Sequence, residues 1–234
     1  MFCQKVEEIW SHAIELYSNE GIQVIVSHPN WAKVTQVSNA SMPMGIAKSD
    51  VQIFKDFAEE INPKNIFVIG NAFGWSVTLI SLLFPNSTID VIDAEIEHDG
   101  PGATKIAKKV FSKLDSKISL HIGFSPQDVP IAMNSKCYDM VFLDGFHEKN
   151  QVIKDFDAIS SFLSKECIVF FHDVRLLKTH QNYEDGVNSI FDRIQQNGFC
   201  TYKLEKNERN ESGMWFVTSG IEKKESLEYE IIKS

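Results

Sequence analysis

The sequence predicts an α/β fold: a Rossmann-like, seven-stranded, mostly parallel sheet with one antiparallel strand, helices on both faces, and an N-terminal helical extension. Three observations predict it. From Asn65 onward, short apolar runs alternate with amphipathic helical patterns, the signature of right-handed βαβ units. The runs Ile66–Ile69, Met140–Leu143 and Ile168–Phe171 are apolar without alternation, as strands covered on both faces must be. Phe199–Leu204 and Met214–Thr218 have no helical pattern between them, so a hairpin across Glu205–Gly213 turns one strand antiparallel.

Each element follows from local chemistry. Val6, Ile9, Trp10, Ala13, Ile14 and Tyr17 carry a helical period through residues 1–20, stopped at Asn19–Gly21. Ile22–Val26 reads as a short strand, and Ser27–Ser49 as irregular chain. Asp50 is placed to cap a helix over Val51–Ile61, ended by Asn62-Pro63. Strands are then expected at Asn65–Ile69, Thr88–Ile92, Ile118–Ile122, Met140–Leu143, Ile168–Phe171, Phe199–Leu204 and Met214–Thr218. Helices are expected at Ser76–Leu83, Ala103–Leu114, Gln151–Leu163 and Gly186–Asn197. The chain divides into an N-terminal helix and cap or lid segment (1–49), the α/β domain (50–218) and a polar C-terminal tail (219–234).

Bulk properties narrow the function. The chain has 234 residues, 43% of them hydrophobic, enough for one large domain with a full core. A formal net charge of −9 with no basic block argues against a nucleic-acid partner, while leaving small anionic substrates open. Cys3, Cys137, Cys167 and Cys200 show no CxxC spacing, as expected of a reduced, cytoplasmic protein without a zinc cluster. No apolar run has the roughly 18–20 residues that a membrane span needs.

In an open parallel sheet, ligands bind beyond the carboxyl ends of the strands. Five successive strand ends here are polar: Gly70-Asn71-Ala72-Phe73-Gly74, then Asp93, then Gly123-Phe124-Ser125, then Asp144-Gly145-Phe146-His147, then His172-Asp173. Glycines at a strand-to-helix turn let backbone N–H groups approach a ligand, and an acid closing the next strand can take both ribose hydroxyls. Together they point to a nucleoside cofactor. A nicotinamide dehydrogenase needs G-x-G-x-x-G, whereas Gly70 and Gly74 give only G-x-x-x-G.

The elements GNAFGWS, VIDAE, GFSPQD, FLDGFHEKNQVIKDF and FFHDV, in that order, resemble those of class I S-adenosylmethionine-dependent methyltransferases. Within that class the chain is most similar to metal-dependent small-molecule O-methyltransferases of the catechol type. The resemblance spans about Ser49 to Thr218. It implies a cofactor site of Gly70, Asn71, Ala72, Phe73, Gly74, Ser76, Asp93, Ser125 and Asp144, with Ser125 beside the adenine and Gln127 near it. It implies a divalent cation, magnesium or manganese, on Asp144, His172 and Asp173, with His147 as general base and Asp144 also catalytic. The expected acceptor is a hydroxylated small molecule such as a sugar, phenol or natural product. One departure is Val68, where relatives carry an acid two residues before the first glycine; Asn71 could compensate.

Plainer roles stay open beside these. The glycines could close a tight turn, and Asp144 and Asp173 could cap helices. His172 and His147 could be structural, and His121 a packed strand residue. Trp31, Met42 and Met44 form either a lid or a core patch, and the N-terminal extension is compatible with a homodimer. A metal-independent methyltransferase with a histidine base, or a non-catalytic binding module of the same fold, are the alternative functions.

Overall fold

The computed structural model describes residues 3–28, 31–35, 46–96, 100–174, 183–195, 198–204, 213–221 and 231–233. Met42, Met44, His98, Asp99, His180, the hairpin link and most of the loop after Val174 lie outside them.

The chain opens with α1 (Gln4–Asn19), an antiparallel hairpin of β1 (Gln23–His28) and β2 (Trp31–Thr35), and α2 (Lys48–Ala58). The alternating region then runs β3 (Asn65–Ile69), α3 (Trp75–Leu83), β4 (Thr88–Asp93), α4 (Gly100–Phe111), β5 (Lys117–Ile122), α5 (Val129–Met133), β6 (Tyr138–Leu143), α6 (Lys149–Ser160) and β7 (Leu163–Phe171). It closes with α7 (Tyr183–Gln195), β8 (Phe199–Leu204), β9 (Trp215–Ser219) and β10 (Ile231–Lys233).

The main sheet has the order β10-β8-β9-β7-β6-β3-β4-β5. Its seven strands β3–β9 are those the sequence predicts, parallel except for β9, which runs antiparallel to both β7 and β8. Strand order reverses between β3 and β6, which are hydrogen-bonded neighbours, so the switch point that opens a ligand crevice falls between Ile69 and Leu143.

Successive residues of each central strand face opposite layers. Ile66, Val68, Met140, Phe142, Ile168 and Phe170 pack with α1–α4, whereas Phe67, Ile69, Val141, Leu143, Val169 and Phe171 pack with α5–α7. Phe54 of α2 stands edge-on to Phe142 and Phe170, both at 5.0 Å between ring centroids. Burial of such a ring stabilises by several kcal/mol, about 3–5 by the cost of truncating it to alanine. The N-terminal helix joins the same core: Trp10 meets Trp75 at 5.2 Å, and the Tyr17 hydroxyl donates to the Phe73 carbonyl at 2.9 Å.

Several boundaries differ from the sequence-based expectation. The strand expected at Ile22–Val26 is the first arm of a hairpin whose second arm, β2, lies in chain read as irregular. The helix expected over Gln151–Leu163 ends at Ser160, and Leu163 already pairs with Tyr138 as the start of β7; helical periodicity cannot mark the point where an apolar residue changes layers. Within the segment read as a polar tail, Ile231–Lys233 returns to the sheet and pairs antiparallel with Tyr202–Leu204 as an eighth, edge strand. Asp50 is not an N-cap: α2 begins two residues earlier, and Asp50 reaches back from its first turn to accept the Ala47 N–H at 2.7 Å.

Candidate active site

The glycine turn is shaped by its neighbours. Gly70 has φ +94°, and a Cβ there would overlap the Asp144 carbonyl oxygen, so only glycine lets β3 end so close to β6. Gly74 has φ +82°, and a Cβ would lie 2.8 Å from Ala107 Cβ and 2.9 Å from the Phe111 ring. After Gly74 the helix α3 begins at Trp75, with Ser76 in its first turn and buried. Phe73 is a core side chain, so that residue can offer a cofactor only its backbone. Val68 is fully buried in the core. Asn71 is nearly buried; its Nδ2 donates to the Ala72 carbonyl at 2.9 Å, while its Oδ1 is buried without a hydrogen-bond partner.

Asp93 ends β4 beside this turn and braces it. Its Oδ2 accepts the N–H groups of Asn71 (2.7 Å) and Ala72 (3.1 Å), and its Oδ1 accepts that of Glu95 (2.8 Å). An ionised carboxylate offers about four acceptor positions. Three of them are engaged by backbone N–H groups.

Beyond β5, the Ser125 hydroxyl donates to Asp155 Oδ1 at 2.5 Å, and Gln151 Nε2 donates both to the Ser125 carbonyl (2.8 Å) and to Asp155 Oδ1 (2.7 Å). Gln127 is exposed; the glutamine that reaches Ser125 is Gln151, from α6. Burial pushes the Asp155 carboxyl up to about 6, against the hydrogen bonds from Ser125 and Gln151.

Across the switch point, Asp144, His147 and Asp173 converge. One ligand atom from each lies within 4.8 Å of the others, the composition and spacing of a metal site. His147 Nε2 is 3.6 Å from Asp144 Oδ1, and its Nδ1 is 3.8 Å from Asp173 Oδ2. Asp173 holds a left-handed backbone, φ 55°, a conformation aspartate tolerates better than most residues, and its Oδ1 is buried without a hydrogen-bond donor.

His172, expected among the metal ligands, stands differently. Its Nδ1 is 2.8 Å from Asp144 Oδ1 and 3.6 Å from Asp173 Oδ1, and its Nε2 is 3.3 Å from Asp50 Oδ2. Both ring nitrogens face carboxylates. His147 takes its place in the convergent group. Burial opposes a charge on His172, but Asp144, Asp173 and Asp50 outweigh it and raise its pKa well above the ordinary value. The cationic ring does the reverse for Asp144: burial works against ionisation, yet His172 and His147 bring that carboxyl down to about 2. Asp173 is raised, by burial first and by Asp144 beside it, with His172 pulling the other way.

Residues that the sequence pattern did not single out complete the wall. Tyr183, buried at the start of α7, lies 5.1 Å from the His147 ring, and burial among Asp144, Asp173 and Asp155 holds its phenol well above the ordinary range. Asp50, Gln151, Asp155 and Tyr183 carry helical spacing only, with no signal separating them from solvated or capping residues. His121 is half-buried on β5, 3.8 Å from Asp90, and takes no part in the site.

Residues 67–174 match the model of a methyltransferase-domain family. The O-methyltransferase TomG from Streptomyces achromogenes, involved in tomaymycin synthesis and solved with S-adenosylmethionine, superposes with a TM-score of 0.62 at 15% identity, over 91% of this chain and 90% of that one. An O-methyltransferase from Bacillus cereus solved with S-adenosylhomocysteine gives 0.58 at 13% identity, over 94% and 92%. The S-adenosylhomocysteine-bound methyltransferase PaMTH1 from Podospora anserina gives 0.55 at 13%, over 92% and 88%. At these identities the likeness is one of fold. No curated protein matches the sequence.

The fold is that of the solved methyltransferases above, and the matching methyltransferase-domain model covers residues 67–174. The matched stretch runs from within β3 to the residue after Asp173, so it contains both the glycine turn and the acidic cluster. No helix among the described residues is long and apolar enough to cross a membrane.

Proposed function

We propose that the protein methylates a hydroxyl oxygen of a small molecule, such as a sugar, phenol or natural product, with assistance from a divalent cation. The observation that carries this reading is the convergence of Asp144, His147 and Asp173 at the ends of β6 and β7, across the switch point from the glycine turn. The donor set fits: two carboxylates and an imidazole, with a buried Asp173 oxygen lacking any donor. Manganese suits the nitrogen better than magnesium does. When bound, such an ion lowers the pKa of a hydroxyl so that an oxygen anion is available near neutral pH.

The chain's own groups do the rest. Asp144 stays ionised across the working pH range, held so by His172. His172 is a fixed counter-charge, clamped between Asp50 and Asp144, and keeps the carboxylates from repelling one another. The glycine turn, its backbone bare of side chains at Gly70, lies against the methionine end of S-adenosylmethionine, and the free Asn71 Oδ1 stands in for the acid absent at Val68. Asp93 holds that turn and gives its last lone pair to a ribose hydroxyl. Methyl transfer is an in-line displacement, so alignment of oxygen, methyl carbon and sulfur is the protein's main task. Tyr183 against His147 keeps water from the acceptor side.

A second reading drops the cation and makes His147 the base. Its support is the pair of carboxylates 3.6 and 3.8 Å from the His147 ring, which would stabilise the imidazolium after proton uptake. The deciding experiment is transfer of labelled methyl to a panel of hydroxylated acceptors before and after chelation. Loss with EDTA and recovery with Mn²⁺ or Mg²⁺ supports the first reading. Undiminished transfer after chelation, with loss in His147→Ala, supports the second. Cofactor binding without transfer to any acceptor leaves a binding module.

A further inference from the structure

The base end of the cofactor site contains a hydrogen-bond chain whose polarity is fixed by one unambiguous atom. The Ser125 carbonyl can only accept, so the Gln151 atom 2.8 Å from it is the amide nitrogen. The same nitrogen is 2.7 Å from Asp155 Oδ1, so that oxygen accepts as well. Ser125 Oγ is 2.5 Å from the same Oδ1 and must therefore donate to it. A serine hydroxyl has a single proton. With that proton committed, the half-buried Ser125 presents only lone pairs to whatever lies beyond β5.

We propose that Asp155 is a specificity-determining residue that acts through Ser125: by fixing the hydroxyl as an acceptor, it makes the site select a purine bearing an exocyclic amino group over one bearing a carbonyl. The inference rests on the reading that the cofactor nucleoside lies across the ends of β4 and β5. An amino group facing Ser125 donates to a waiting lone pair. A 6-oxo purine in the same place sets two acceptors against each other, and neither partner can turn to relieve it. Asp155 is almost fully buried, on α6, so its effect passes through Ser125.

The test is calorimetric titration at pH 8 with S-adenosylhomocysteine and with its inosine counterpart, in which a carbonyl replaces the amino group. The wild type is expected to prefer the adenine compound by about tenfold or more, the loss expected when a hydrogen bond becomes an unpaired contact. Asp155→Ala frees the hydroxyl to rotate, and the preference should fall to about twofold or less. Asp155→Asn keeps an acceptor at the Oδ1 position and should restore the preference, which a purely structural contribution would not do. Ser125→Ala should abolish the preference with Asp155 intact, and serves if Asp155→Ala does not fold. Equal binding of both compounds by the wild type, or a preference that survives in Asp155→Ala and Ser125→Ala, overturns the proposal while leaving the cofactor reading standing. Absence of S-adenosylhomocysteine binding to the wild type removes both.

Discussion

Asp50 and His172, 122 positions apart in the chain, meet through a hydrogen bond of 3.3 Å between carboxylate and imidazole, and both are buried. The contact ties the first turn of α2 to the end of β7, so the helix before the α/β alternation is anchored to the acidic cluster. Asp50 also caps the Ala47 N–H from within the helix. Asp50→Ala leaves a buried cationic ring short of a partner and an uncapped N–H, a loss of about 3–5 kcal/mol. Asp50→Asn keeps an acceptor and should lose less. Urea denaturation of the two variants checks the order, and a loss within error of zero for Asp50→Ala would contradict the contact.

Asp155 and Asp144, two of the perturbed aspartates near the site, act on stability with opposite sign. Asp155 is raised from its ordinary 3.8 to about 6, so its stabilisation is complete below pH 3.8 and is lost as the pH rises through about 6. At about 1.4 kcal/mol per pKa unit this is a few kcal/mol across that window. Asp144 is lowered to about 2, so its contribution is present above pH 3.8 and lost as the pH falls through about 2. Denaturation curves between these limits should show Asp155→Asn flattening the decline toward pH 6 without altering the acid limb.

Gly70→Ala places a methyl group on the Asp144 carbonyl in a backbone conformation that L-residues avoid. The strands must part or the turn must re-form, and either change moves the glycine turn relative to the acidic cluster. The expected result is a lowered melting temperature together with at least about tenfold weaker S-adenosylhomocysteine binding, equivalent to about 1.4 kcal/mol. Retention of wild-type affinity in a destabilised variant would separate the turn from the ligand.

Tyr17 reaches from α1 to the Phe73 carbonyl at 2.9 Å and lies 3.3 Å from Thr78 Oγ1, and its burial pushes the phenol well above its ordinary pKa. Tyr17→Phe keeps the packing and removes the donor, leaving a buried carbonyl unsatisfied at a cost of about 1–3 kcal/mol. Thermal melts with and without S-adenosylhomocysteine should show the loss in both, and a larger shift on ligand addition than in the wild type would indicate that binding re-forms the turn.

Much of this architecture was legible because strands buried on both faces write themselves as apolar runs. Ile66–Ile69 and Ile168–Phe171 could be nothing else, and the polar residue after each run marked the crevice. Asp144, His147 and Asp173 stand after such runs, although the sequence reading puts the metal on Asp144, His172 and Asp173 and makes His147 the base. Partnership between side chains was not legible: His172 has the residue type of a ligand, and only the fold shows that Asp50 and Asp144 occupy both of its nitrogens. Asp155 and Gln151 sit four apart on an ordinary amphipathic helix, and nothing in that spacing says that Ser125 lies opposite. The edge strand Ile231–Lys233 was hidden for a different reason, since three residues are too few to carry a period.

The pairing of β3 with β6, Ile69 opposite Leu143, works as a ruler. The strand carrying the glycine turn and the strand carrying Asp144 are adjacent rungs, held about 4.8 Å apart by backbone hydrogen bonds. The distance between the two halves of the crevice is therefore set by main-chain geometry, independent of side-chain choice. On the proposed function, acceptor preference can then drift through the surrounding loops while the separation of cofactor and acidic cluster stays constant.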